Sequence, residues 1–274
     1  MKLARAVWKG SLISQRFHLA IEDLGELFAR PIWWHLAWQD IRHRYRRSLI
    51  GPLWITISTG VVIVAMGPLY GMLLNQPLGP YFKHLSVGFV LWVFISGYLN
   101  EACLAFVSAE GFIKEIKIPY STYVMKVLAK HVIIFLHNCL IIAGVLLFFP
   151  PPTWSGLPLL LTGLAALMFC LFWSGMALAI LCVRFRDVAL IVSSVIQLLF
   201  FLTPIMWQVD MLGDRRELAN LNILYHLIQI VRAPLLGEPD AALSWIVVSG
   251  VGLVGGAFAF CLFVRFRNRI SYWV

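Results

Sequence analysis

Six long apolar runs separated by short polar connections dominate the chain: Leu53–Leu74, Leu85–Ala109, Tyr120–Phe149, Leu157–Val183, Val188–Val209 and Trp245–Val264. A helix crosses a bilayer with about 20 apolar residues, and each run is long enough. The second run carries one acid, Glu101. The third is free of charge from His131 onward. Hydrocarbon offers an open backbone no hydrogen-bond partner, so such runs resolve as helices. The pattern predicts an all-α integral membrane protein with six transmembrane helices.

The residues ahead of the first run follow another pattern. Residues 1–31 are broken by Lys2, Arg5, Lys9, Arg16, Glu22, Asp23 and Glu26. They read as a mobile start and a short helix over His18–Ala29, with no cleaved leader expected. Within Ile32–Arg47, Trp34, Trp38, Ile41 and Tyr45 recur at helical spacing, while Asp40, Arg42, His43, Arg46 and Arg47 form a polar side. That predicts an amphipathic helix lying in the membrane plane, its indoles at headgroup level. Arg42, Arg44, Arg46 and Arg47 enter hydrocarbon only at high cost, so they mark the level where the first span begins. Gly51 and Pro52 turn the chain into that span, and Pro52 suits a first helical turn. The expected organisation is a cytoplasmic segment 1–31, an interface helix 32–47 and a transmembrane domain 48–274.

Composition agrees with this reading. Only 13% of the 274 residues are charged and 61% are hydrophobic, whereas a soluble domain is about 25% charged. The net charge of +9 raises the question of nucleic acid. The basic residues instead occupy short connections, which is a matter of topology, and no nucleic-acid partner is expected. Eighteen of the 22 Lys and Arg fall on the segments that share a side with the amino terminus; Lys83, Arg215, Arg216 and Arg232 fall on the other. The positive-inside rule then puts both termini of a multi-pass membrane protein in the cytoplasm. All five cysteines lie in apolar runs and read as small buried hydrophobes.

Candidate chemistry is sparse. There is no GxxxxGK[ST], HExxH or GxSxG, so neither an enzyme nor a metal or cofactor site is expected in this chain. Glu101 sits beside Asn100 and Tyr98 and reads as a conduit-lining or helix-bonding group rather than a proton carrier. Gln197 and Asn138 read as ties between helices. Aromatic rings are frequent, and their flat apolar faces suit the C–H face of a pyranose. Tyr70, Trp92, Tyr98, Glu101, Phe200 and Phe201 are the candidate conduit residues; interfacial belts and lipid contact are the alternative for each ring.

Two connections stand apart. Glu110–Pro119, EGFIKEIKIP, sets Phe112, Ile113 and Ile116 beside Glu110, Lys114, Glu115 and Lys117. Three large apolar residues in so short a charged turn suggest a helix that docks into a partner's groove. On the other side, Asn220–Gly237, NLNILYHLIQIVRAPLLG, is apolar and periodic but too short to cross twice. It reads as one or two short re-entrant helices, or as a helix resting on lipid.

Together these stretches resemble the permease subunit of ABC-2 type polysaccharide exporters, the group that exports O-antigen, capsule and teichoic acid chains. The resemblance covers about residues 32–274. It rests on DIRHRYRRSLIGPLW before the first span, EGFIKEIKIP, RFRDV at 184–188, TPIMW at 203–207, NLNILYHLIQIVRAPLLG and RFRNRISYWV at the end. One departure is that Asn222 is followed by Ile223, where the family usually has proline. The resemblance implies a half-transporter working as a homodimer with two separate ATPase subunits, which hold ATP and Mg while this chain holds no cofactor. It implies a coupling helix at 110–119 and a lipid-linked polysaccharide whose anionic headgroup passes Arg42, Arg44, Arg46 and Arg47. It also implies outer gate helices at 220–237, with Asn222, Tyr225, His226, Ile230 and Arg232. Two rivals share parts of the pattern: an ABC-2 permease for a drug or simple lipid, and a stand-alone intramembrane glycosyl- or acyltransferase. The second would need convergent acids or a His–Asp pair facing one cavity, and the sequence offers none convincing.

Overall fold

The computed structural model describes residues 2–46, 50–51, 53–151, 156–238 and 241–274, with side chains from residue 14 onward except Tyr45. Arg47 and Pro52, singled out above, lie outside the described residues. The described residues form helices without strands. The amino-terminal segment is one helix, α1 (Lys2–Ala29), longer than the sequence suggests. Pro31 breaks it from α2 (Ile32–Tyr45), because a residue before proline is pushed out of helical conformation.

Among the described residues five helices are long and apolar enough to cross a membrane: α3 (Leu53–Leu73), α4 (Leu78–Ala102), α6 (Tyr120–Phe148), α7 (Leu157–Arg184) and α10 (Ala242–Phe266). The run Val188–Val209 yields only α8 (Asp187–Leu202). At 1.5 Å per residue its 16 residues reach about 24 Å, short of a hydrocarbon core of about 30 Å. Thr203 turns extended ahead of Pro204 and stops the helix there. α4 starts seven residues before the predicted Leu85, so most of the connection after α3 is helical. It also ends early; a turn follows Ala102, and α5 (Glu110–Glu115) is a separate short helix. Ile116 leaves α5 in extended conformation, so the predicted helix over 110–119 is shorter by four residues. The element predicted at 220–237 is a single helix, α9 (Ile223–Leu236), followed by left-handed Gly237. α11 (Ile270–Trp273) closes the chain.

α4 is the axis of the bundle and packs on α3, α6, α7, α8 and α9. Lipid is as apolar as a leucine side chain, so helices in a membrane are held by close packing and polar ties. Both are present. Phe94 of α4 packs on Phe135 of α6 at 5.0 Å between ring centroids. Gly175 of α7 leaves room for Tyr98, whose hydroxyl would lie 1.9 Å from a Cβ there. Gly163 similarly lets α7 approach the backbone of α9: an added Cβ would fall 2.4 Å from the Ile230 carbonyl oxygen. α10 packs on α7 through Gly252 and Gly256.

Polar contacts sort into the two ends of the bundle. At one end, α1, α2, the first part of α6 and the segment after α10 gather around Asp23, Asp40 and Arg267. At the other, Lys83 donates to the Pro150 carbonyl and α9 caps the bundle.

Candidate functional site

α4 and α8 diverge enough to leave an open groove of about 700 Å³ between them. Phe89, Trp92, Phe200 and Phe201 form a ring ladder along it, with centroids 6.2 Å apart for Phe89–Phe200, 5.5 Å for Trp92–Phe200 and 5.4 Å for Phe200–Phe201. Ser96, Asn100 and Gln197 supply polar atoms among these rings. Flat apolar faces with scattered hydrogen-bonding groups suit a ligand that slides rather than lodges. Of the candidate conduit residues, Trp92, Phe200 and Phe201 line the groove. Phe89 and Ser96 were missed; periodicity alone does not say which face of α4 meets α8. Gln197 is exposed and lines the groove, so it does not tie two helices together.

Three candidates lie elsewhere. Tyr98 is fully buried against α7. Tyr70 packs half-buried against the core from α3. Glu101 follows Asn100 at the end of the groove, but its carboxylate is engaged by α6: Lys130 Nζ donates to one oxygen, and His131 Nε2 lies 3.0 Å from the other. Lys130, which sequence counts only among the basic residues on the side of the amino terminus, is 4% exposed. This is a glutamate shared by a histidine and a lysine, not the His–Asp pair facing a cavity that stand-alone catalysis would need. The result is an ion-paired tie between α4 and α6, the helix-bonding reading of Glu101. Asn138, read as such a tie, makes no hydrogen bond with either side-chain polar atom despite full burial.

α9 folds as the site at the far end requires. Asn222 accepts from the Leu224 amide at 2.9 Å and donates to Thr203 Oγ1 at 2.8 Å, so a side-chain cap starts the helix without proline. His226 is buried, its ring nitrogens 2.9 Å from Ser244 Oγ and from the Asn220 carbonyl. Ile230 is buried and Tyr225 half-buried. Arg232, which sequence counts among outward charges, is 2% exposed. It donates to Gln229 Oε1 at 2.7 Å and to the Pro204 carbonyl at 2.9 Å, and lies 3.2 Å from His84 Nε2. Gln229 in turn donates to Glu238 at 2.9 Å. This network joins α4, α9 and the bend after α8. Beside it, the end of α8, Trp207, Leu212, Leu218, Ala219 and the segment 221–224 surround an apolar hollow of about 530 Å³.

At the α1 end, α5 has no buried residue. Glu110 and Lys114 pair at 2.6 Å. Glu115 and Lys117 are exposed, Phe112 and Ile116 point outward, and Ile113 turns toward the core. α2 lays Ala37 and Ile41 against α6, and Asp40 pairs with Lys126 at 2.8 Å. Trp34 and Trp38 stay exposed at the margin, with Arg42, Arg44 and Arg46 outward.

Comparison with known proteins places this arrangement. The "O-antigen export system permease protein RfbA" of Myxococcus xanthus is 24% identical over 198 residues, covering 72% of this chain and 75% of that protein. A Klebsiella pneumoniae protein of the same name is 23% identical over 181 residues, covering 65% and 69%. The model of the "ABC-2 type transporter" membrane family matches residues 32–236, from the first residue of α2 to the last of α9. The chain is a multi-pass membrane protein and belongs to the ABC-2 type transporter family.

Proposed function

We propose that this chain is the permease subunit of an exporter for a lipid-linked polysaccharide, of the O-antigen kind, in the inner membrane. The observation that carries this reading is the family match over α2–α9 together with relatives named as O-antigen export permeases. The ring ladder with interspersed Ser96, Asn100 and Gln197 is the surface such a chain would slide along. α3 and α8 bury few of their apolar residues within the chain, and a second copy covers them, closing two grooves into one conduit. α8 with the bend after it completes a sixth crossing, which leaves both termini cytoplasmic.

Energy comes from a separate ATPase pair that binds ATP and Mg. Phe112 of α5 and Ile116 just after it seat in that subunit, which accounts for two large apolar side chains facing outward beside a braced Glu110–Lys114 turn. Arg42, Arg44, Arg46 and Arg47 meet the anionic headgroup at the conduit's inner mouth. α9 and the Arg232 network form the outer gate. Deletion of the gene in its host, with complementation, tests the reading. Loss of surface glycan with lipid-linked glycan retained inside the cell is expected. Normal surface glycan in the deletion strain would contradict it.

A further inference from the structure

Asp23 of α1 is the most fully engaged acid among the described side chains. Its carboxylate is fully enclosed, and a buried carboxylate is tolerated only when its acceptor positions are filled. They are filled from two distant parts of the chain. The Tyr120 amide donates to Oδ2 and the Ser121 amide to Oδ1, each at 3.0 Å. Ser121 Oγ lies 2.6 Å from Oδ1. Arg267, just beyond α10, donates Nε and Nη2 to Oδ2, both at 2.9 Å. Its guanidinium also stacks over the Tyr120 ring at 5.4 Å.

Tyr120 and Ser121 are the first residues of α6, where backbone amides have no partner within the helix. Pro119 holds the capping position and has no side chain able to cap. Asp23 therefore caps α6 from another helix and places negative charge at its amino-terminal end. Phe106, on the other side of α5, meets the Tyr120 ring edge-on at 6.2 Å. α5 has no fully buried residue and meets the core through the half-buried Ile113; the segments at its two ends converge on Tyr120.

We propose that Asp23 is a positioning residue that makes α5, the start of α6, α1 and the end of α10 a single body, so that a push on α5 moves α1 and α10 together with α6. This rests on the reading of α5 as the ATPase contact, and two measurements keep the parts separable. The first is hydrogen exchange on the purified permease alone in nanodiscs. Asp23→Asn and, as a milder variant, Arg267→Lys should speed exchange at residues 116–122 by about tenfold or more for the former, with α7 unchanged. Exchange equal to that of the unaltered protein would overturn the clamp. The second is the ratio of ATP hydrolysed to glycan moved, in vesicles holding the permease and its copurified ATPase. Asp23→Asn should raise the ratio about fivefold or more while ATPase association persists, and Arg267→Lys should raise it less. Faster exchange with an unchanged ratio would overturn the transmitting role. A failure of the unaltered protein to hold any ATPase would sink the transport reading itself, and exchange would still decide on the clamp.

Discussion

Lys130 and His131 share the carboxylate of Glu101 across the α4–α6 contact, and the consequences of disturbing them are local. Lys130 is buried, so Glu101→Ala leaves an ammonium without that counter-charge, at a cost of about 3–5 kcal/mol. Thermal unfolding in detergent should show the drop, and a further Lys130→Met should recover much of it. At Gly163 the effect is steric. An added Cβ meets a backbone carbonyl, which yields less readily than a flexible side chain, so Gly163→Ala should cost about 1–3 kcal/mol in the same measurement. Single residues were the hardest to place in advance. Glu101 stood out from sequence because an acid in an apolar run is conspicuous. Its partners did not, since Lys130 sits near a charged connection and nothing local shows that α6 presents it to α4. Asp23 was lost among exposed charges for the same reason.

Helices were more legible, because their signals are local. The starts of α2 and α6 follow prolines, and α4, α6, α7 and α10 follow apolar runs. α8 was misjudged because an apolar run continues through Thr203 and Pro204, where the backbone turns extended. α5 shows what such an element contributes. Phe112 and Ile116 stay about half exposed, at 52% and 48%, so Phe112→Asp or Ile116→Asp should cost no more than about 1 kcal/mol of stability. Each should nonetheless reduce ATPase copurification about tenfold. Recovery of the ATPase at ordinary yield would remove α5 from the interface. The Lys114 ammonium holds the Glu110 carboxyl below its ordinary range. This brace is therefore complete at neutral pH and loosens only as acid takes the pH down through that lowered value.

For the whole molecule, apolar surface and charge asymmetry carry the argument. The fold class and the two-ended arrangement were readable from the order of runs and basic connections. The groove was not, because it depends on how α8 leans from α4. The proposed self-association through α3 and α8 has a direct consequence: Leu198→Cys should cross-link two copies in the membrane. Leu147→Cys, exposed on α6, should not. Equal cross-linking at both sites would contradict the pairing.

Most direct is transfer of a lipid-linked glycan across vesicles holding the purified permease, with and without its phosphate-loop ATPase. Transfer should require both the ATPase and ATP. Transfer by the permease alone, with no nucleotide hydrolysed, would contradict the account.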